Sequence, residues 1–167
     1  MDDRRAMLVH FLAAVAYRAQ KALRGCPDEF GSFSVGHDVR TPSQLVQHIT
    51  SVLGYARTFF VGGSYWPEPL PTLSDEVERM HQMIKDLAGD IESGAPFLNG
   101  LTEQRLLQGP LADAMTHVGQ LAMLRRIAGE PVPPEDFIVA DIDAKRLGVD
   151  QPDPVSPDEV WPEGPKR

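Results

Sequence analysis

Asp113 and His117 stand four residues apart in the stretch Pro110–Gly129, PLADAMTHVGQLAMLRRIAG. In a helix advancing about 100° per residue, Asp113, His117, Gln120 and Leu124 fall along one stripe, with Leu121, Ile127 and Ala128 beside it. That spacing assigns a carboxylate and an imidazole to the side of the helix that should face the core. An unpaired carboxylate is costly to bury, so such a group is satisfied by a partner or by a metal ion. Two side chains at i and i+4 can converge on one ion, as both histidines of a zincin helix do. Metal ligation and a purely structural Asp–His pair both account for the pattern.

A third ligand has to come from another element. Thr41-Pro42-Ser43-Gln44 is a strong helix start, with Thr41 as N-cap, Pro42 at N1 and Gln44 closing a capping box. The helix then runs to about Phe60 and buries Leu45, Ile49, Val52, Leu53, Ala56, Phe59 and Phe60. His48 falls at the border of this apolar face, in line with Val52, Tyr55 and Phe59. Alone it reads as a core histidine bonded to a neighbour. With Asp113 and His117 it becomes the third arm of a metal site.

Two more long helices complete the frame. The first spans about Asp3 to Leu23, with Leu8, Phe11, Leu12, Val15, Ala19 and Leu23 as its apolar face. A second stripe, with Tyr17 near His10 and Ala13 and Ala14 close by, reads as solvated surface, or alternatively as a helix–helix dimer contact. The other helix is expected to be capped by Ser74, with Asp75 and Glu76 in the first turn and Val77, Met80, Ile84, Leu87, Ala88 and Ile91 inward. His81 shares that inward stripe and is read as a packed histidine, or one near the mouth of the site, in preference to a ligand. Thr102 caps a short turn over Leu101–Leu107, and Pro110 at N1 and Gly129 bracket the last long helix.

The long connection Gly25–Arg40 is expected to tuck Phe30, Phe33 and Val35 against the helices, and His37-Asp38 either reaches a site entrance or, in the preferred reading, stays solvated. Tyr65 and Trp66 line a pocket or cover a bundle end. Phe137, Ile138, Val139 and Ile142 predict a brief extended segment packed on the helices, and the last fifteen or so residues read as extended or poorly ordered. These elements predict an all-α four-helix bundle over residues 1–150, followed by a Pro-rich, mostly extended C-terminal tail over 151–167.

Composition narrows the function classes. The 167 residues carry a net charge of −8, spread along the chain without a basic block, which disfavours nucleic acid and anionic membranes as partners. Cys26 is the one cysteine, so no intrachain disulfide or cysteine-based zinc knuckle forms, and beside Pro27 it reads as a passive thiol. The N-terminal apolar run is broken by His10, Tyr17 and Arg18 and has neither a signal-peptide core nor a membrane span, so a reducing, cytoplasmic location is expected.

Three features together resemble the DinB-like (DinB/YfiT) superfamily of metalloenzymes: RTPSQLVQHI ending in His48, DAMTHVGQLAMLRRIAG with its H-x-G-Q, and the order of four helices with a long first connection. The resemblance covers about Met1 to Asp150. It implies a metal site formed by one histidine on the second helix, matched by His48, and a pair on the fourth, matched by His117 and by Asp113 where the family often has histidine. The implied set is two imidazoles and a carboxylate with open positions. Such donors suit zinc first, with nickel, manganese or iron allowed by ligand type. Family members include transferases that activate low-molecular-weight thiols, so the resemblance implies thiol addition or transfer to a small electrophilic molecule. Gln120 and Tyr55 then stand where groups bracing the ligands or lining the pocket would be, with His81 a third such candidate. Arg57 and Arg125 are weighed as holders of an anionic substrate against plain helix-surface arginines. A hydrolase-like metal enzyme stands beside the transferase, and the competing functional reading is a non-catalytic bundle that keeps the fold for binding or dimerisation.

Overall fold

The computed structural model describes residues 2–154, which form helices and no β-strand. Helix α1, Asp3–Leu23, begins where Asp2 Oδ1 accepts the Arg5 amide at 3.0 Å. A 3-10 turn, Asp28–Ser32, follows, and its Phe30 is buried while Phe33 and Val35 pack on the core as expected. Helix α2, Pro42–Val61, carries the capping box: the Thr41 hydroxyl accepts from Gln44 N at 3.4 Å, and Gln44 Oε1 accepts from Thr41 N at 2.9 Å.

Helix α3, Leu73–Glu92, starts earlier than a Ser74 cap requires. Thr72 is the cap, its hydroxyl accepting from Asp75 N at 3.0 Å, which makes Leu73 the first helical residue and buries it against the bundle. The last long helix also departs from expectation. Helix α4, Glu103–Leu106, capped by Thr102, continues through a π-helical turn, Leu107–Leu111, into helix α5, Ala112–Ile127. Pro110 therefore lies inside a helix and not at its N1 position. Proline lacks an N–H and crowds the carbonyl four residues back, and the wider i→i+5 turn accommodates it.

The four long helices pack in the ring order α1–α3–α2–α5, so α2 and α5 are neighbours. Leu12, Ile49, Leu53, Ile84, Leu87 and Leu121 fill the centre. Two buried guanidiniums cap the carboxyl ends of neighbouring helices, where exposed carbonyls favour a cation. Arg5 donates to Ile91 O and Ala95 O at 3.1 and 2.6 Å, and Arg125 to Ala22 O and Arg24 O at 3.2 and 2.8 Å. Gly54, on α2, lies under the Tyr65 ring so closely that a Cβ there would meet it at 2.1 Å.

His10 is exposed as expected, but the rest of its stripe is not solvated surface. Ala13 and Tyr17 are buried because the chain after α5 returns over α1. Tyr17 donates its hydroxyl to Glu135 Oε1 at 2.5 Å, and the Lys21 ammonium lies 2.8 Å from Glu135 Oε2. Phe137 meets the Tyr17 ring edge-on, with the Arg18 guanidinium 3.7 Å from its own centroid. Of the residues expected to pack there, Phe137 does so, whereas Ile138 is 93% exposed and Val139 is exposed too. Arg24 holds the chain beyond, donating to Gln151 O and Pro152 O and pairing with Asp153. The expectation for 151–167 lies, from residue 155 onward, outside the described residues.

Candidate metal centre

Helix α2 brings His48, and helix α5 brings Asp113 and His117, to one place on the rim of the bundle. Each offers one ligand atom, and these three atoms lie within 4.8 Å of one another, the one such group among the described residues. The imidazoles of His48 and His117 meet edge to face, with centroids 4.6 Å apart. His117 Nε2 is 3.3 Å from Asp113 Oδ1, and His117 Nδ1 is 2.9 Å from Gln120 Oε1.

The stripe is less buried than its spacing implied. His117 is buried, but the Asp113 side chain is 50% exposed, because α5 turns Ala114, Val118, Leu121 and Leu124 to the core and leaves Asp113 on the border facing solvent. Desolvation therefore does not by itself demand a partner for this carboxylate.

A different observation bears on metal. Gln120 Oε1 can only accept, so with the amide oriented this way His117 carries its proton on Nδ1. A neutral imidazole then points the bare lone pair of Nε2 at a carboxylate oxygen 3.3 Å away. Two acceptors facing each other need a cation between them, a proton or a metal ion. Ligand atoms on a tetrahedral zinc with bonds near 2.0 Å stand about 3.3 Å apart, so the donor set and this spacing fit the ion. The three residues form a cluster that could hold a metal ion.

His48 is partly buried, and burial first, then Arg40 and His117, hold its imidazole below the usual histidine range, while Asp113 works the other way. A neutral imidazole is the form that ligates.

The other residues singled out are spread over the fold. Gln120 braces His117 directly. Tyr55 is 57% exposed and rests edge-on against Phe59. His81 is buried between α1 and the returning chain, with Nδ1 2.9 Å from Leu147 O and Nε2 3.3 Å from the Gln20 amide, and it has no part in the cluster. Arg57 is taken by Asp90 at 2.8 Å and Asp86 at 3.6 Å, and Arg125 by backbone carbonyls, so neither guanidinium is spare for a substrate anion. Burial pushes the Cys26 thiol up, in keeping with a passive role. Trp66 does line a groove that ends on His48, together with Asp38, Arg40 and Glu68, while Tyr65 packs on Gly54. Among these, Arg40 and Glu68 had no periodicity to mark them, since both lie in connections.

Two imidazoles, the buried His81 and the partly buried His48, carry a pH consequence. His81 and His48 both have folded values depressed by burial, so the unfolded chain takes up protons first. Their contribution to stability is complete above about pH 6.5 and is lost as pH falls through the folded values, at no more than about 1.4 kcal/mol per pH unit for each group. His81→Gln keeps a donor for Leu147 and is expected to flatten the acid limb of the thermal midpoint against pH. An unchanged limb would show that His81 does not titrate on unfolding.

No helix among the described residues is long and apolar enough to cross a membrane. Comparison of the chain with protein-family models, with curated proteins and with solved structures returned no match to any of them.

Proposed function

We propose that this chain is a metal-binding four-helix bundle of the DinB-like type, with His48, Asp113 and His117 holding a divalent ion, zinc first. The observation that supports this most is the convergence of three ligand atoms from two helices, with His117 Nε2 3.3 Å from the Asp113 carboxylate. The reaction class we favour is transfer of a low-molecular-weight thiol to a small electrophilic molecule. A bound zinc ion supplies Lewis acidity, which lowers the pKa of a thiol or water brought to it. Gln120 keeps His117 in one tautomer and one orientation, as groups behind a ligating histidine commonly do. Asp113 offsets part of the ion's charge, and its exposed side leaves the centre open to an incoming molecule.

The test is elemental analysis of protein purified without added ions, followed by zinc competition. One equivalent of metal is expected, with His48→Ala and His117→Ala abolishing it and Gln120→Leu weakening it by about 10–100-fold. Wild-type protein that binds zinc no better than His117→Ala would sink the proposal. Metal-loaded protein is further expected to accelerate conjugation of a small thiol to a small electrophile, and loss of that rate on chelation checks the reaction class.

A second reading, a structural Asp–His pair in a non-catalytic bundle, is favoured by the same 3.3 Å separation, since a proton on Nε2 would satisfy it equally. Proton resonances of His117 that ignore added zinc but respond to Asp113→Asn would decide for it.

A further inference from the structure

The approach to His48 is lined by charged side chains that do not neutralise one another. A groove of about 500 Å³ ends on His48 and is walled by Asp38, Arg40, Trp66 and Glu68. A second groove, of about 520 Å³, shares Asp38 and Arg40 and ends on Gln120. The segment carrying Asp38 and Arg40 thus borders two approaches to the same cluster.

One wall is held at the backbone, and the other is conformationally strained. On one side, Gln47 Nε2 donates to Pro67 O at 2.9 Å, Arg79 Nη1 to Glu68 O at 2.7 Å, and Leu70 N to Glu76 Oε1 at 2.7 Å. These bonds fix the loop and leave the Trp66 indole 84% exposed. On the other side, His37 and Asp38 both adopt left-handed backbone, with φ of 54° and 57°, a conformation that costs of order 1 kcal/mol or more per residue.

Among the described residues, no ion pair engages Asp38, Arg40 or Glu68. A ligand bearing only an anion would meet Arg40 but also two carboxylates, and one bearing only a cation would meet the reverse. A ligand bearing both charges at one end can satisfy all three, and an exposed indole face suits an ammonium.

We propose that this groove binds the zwitterionic end of an α-amino-acid-type ligand, its carboxylate on Arg40 and its ammonium among Asp38, Glu68 and the Trp66 ring. The ligand's side chain, a thiol or thioether, then extends towards His48. Only that last feature rests on the reading of His48, Asp113 and His117 as a metal centre; the binding itself does not need the ion.

The test uses the metal-free full chain carrying Trp161→Phe, so that Trp66 is the one tryptophan. Three probes are titrated, with affinity read from Trp66 emission and from the chemical shifts of the probe: S-methyl-L-cysteine, 3-(methylthio)propionate and 2-(methylthio)ethylamine. The zwitterion is expected to bind at least about tenfold tighter than either single-charge probe, the scale of one charge-assisted contact. Arg40→Gln is expected to abolish its advantage over the amine, and Glu68→Gln to reduce its advantage over the carboxylate. Arg40 and Glu68 both lie at the surface, so unchanged thermal midpoints verify folding. Equal affinities, no saturable binding, or an order indifferent to Arg40→Gln would overturn the proposal. Zinc titration of the same protein separates the two ideas: retained probe order without zinc binding removes the metal centre and keeps the groove, and zinc binding without probe order does the opposite.

Discussion

Replacing Glu76 by alanine is expected to cost about 3–5 kcal/mol of folding stability, the range for removing one partner of a buried, hydrogen-bonded ion pair. Glu76 is 1% exposed and sits in the first turn of α3, where its charge suits the helix dipole. Its larger role lies across the chain. Oε2 takes Arg79 Nη2 at 2.5 Å and Oε1 takes the Leu70 amide at 2.7 Å, while Arg79 reaches on to Glu68 O. Alanine would leave a largely covered guanidinium without its counter-charge and a loop amide without its acceptor. Glu76→Gln preserves the acceptor but not the charge, so a smaller loss of about 1.5–3 kcal/mol is expected. Urea midpoints check both values, and Trp66 emission in the Trp161→Phe background reports whether the loop comes away. A loss under about 1 kcal/mol for Glu76→Ala would mean that the loop is held by its prolines and not by this carboxylate.

Glu135→Ala is expected to be of similar size, about 3 kcal/mol or more, although the residue belongs to a connection without regular structure. Its carboxylate is buried between the Tyr17 hydroxyl and the Lys21 ammonium, and its removal strands both. Burial and the adjoining carboxylate push the Tyr17 phenol upward, so it stays a donor throughout the ordinary pH range. The double variant Glu135→Leu with Lys21→Met removes both charges at once and is expected to recover much of the loss, as apolar replacements of buried ion pairs often do. Amide exchange over residues 131–137 should rise sharply in Glu135→Ala alone. Exchange as slow as in the wild type would show that Phe137 suffices to hold the segment.

Local signals were legible where one element contains all the information. The Thr41–Gln44 box, the α1 apolar face and the Thr102 cap each depend on residues within a turn of one another, and each forms as its pattern implies. Ser74 and Thr72 are equally good caps by type; burial of Leu73, a tertiary fact, chose between them. Pro110 reads as a helix start because that is its commonest helical role, and nothing local shows that the preceding turn will continue into it. The candidate ligands could be named because i, i+4 spacing alone puts Asp113 and His117 side by side and His48 lay on an independently marked helix. The exposure of Asp113 was not legible, since it depends on which face of α5 the bundle covers. The partners of His81, Glu76 and Tyr17 were not, since Leu147, Leu70 and Glu135 lie in connections whose course no periodicity reports.

The π turn at Leu107–Leu111 sets the phase of everything after it. Leu106 is fully buried, and seven residues of uninterrupted α-helix would bring Asp113 to within about 20° of the same direction. One surplus residue in the turn shifts that alignment to Ala114, which is buried, and turns Asp113, with His117 one turn further along the same helix, towards the rim as a unit. A single-residue insertion following this turn, with the turn's own geometry kept, would thus rotate α5 by about 100° relative to the turn before it, carrying Asp113 to the direction Ala114 now holds and His117 to that of Val118. Related chains that differ by such a gap are expected to differ in whether the α5 pair faces His48 at all, so gain or loss of the centre can follow from an insertion event that leaves every ligand codon intact.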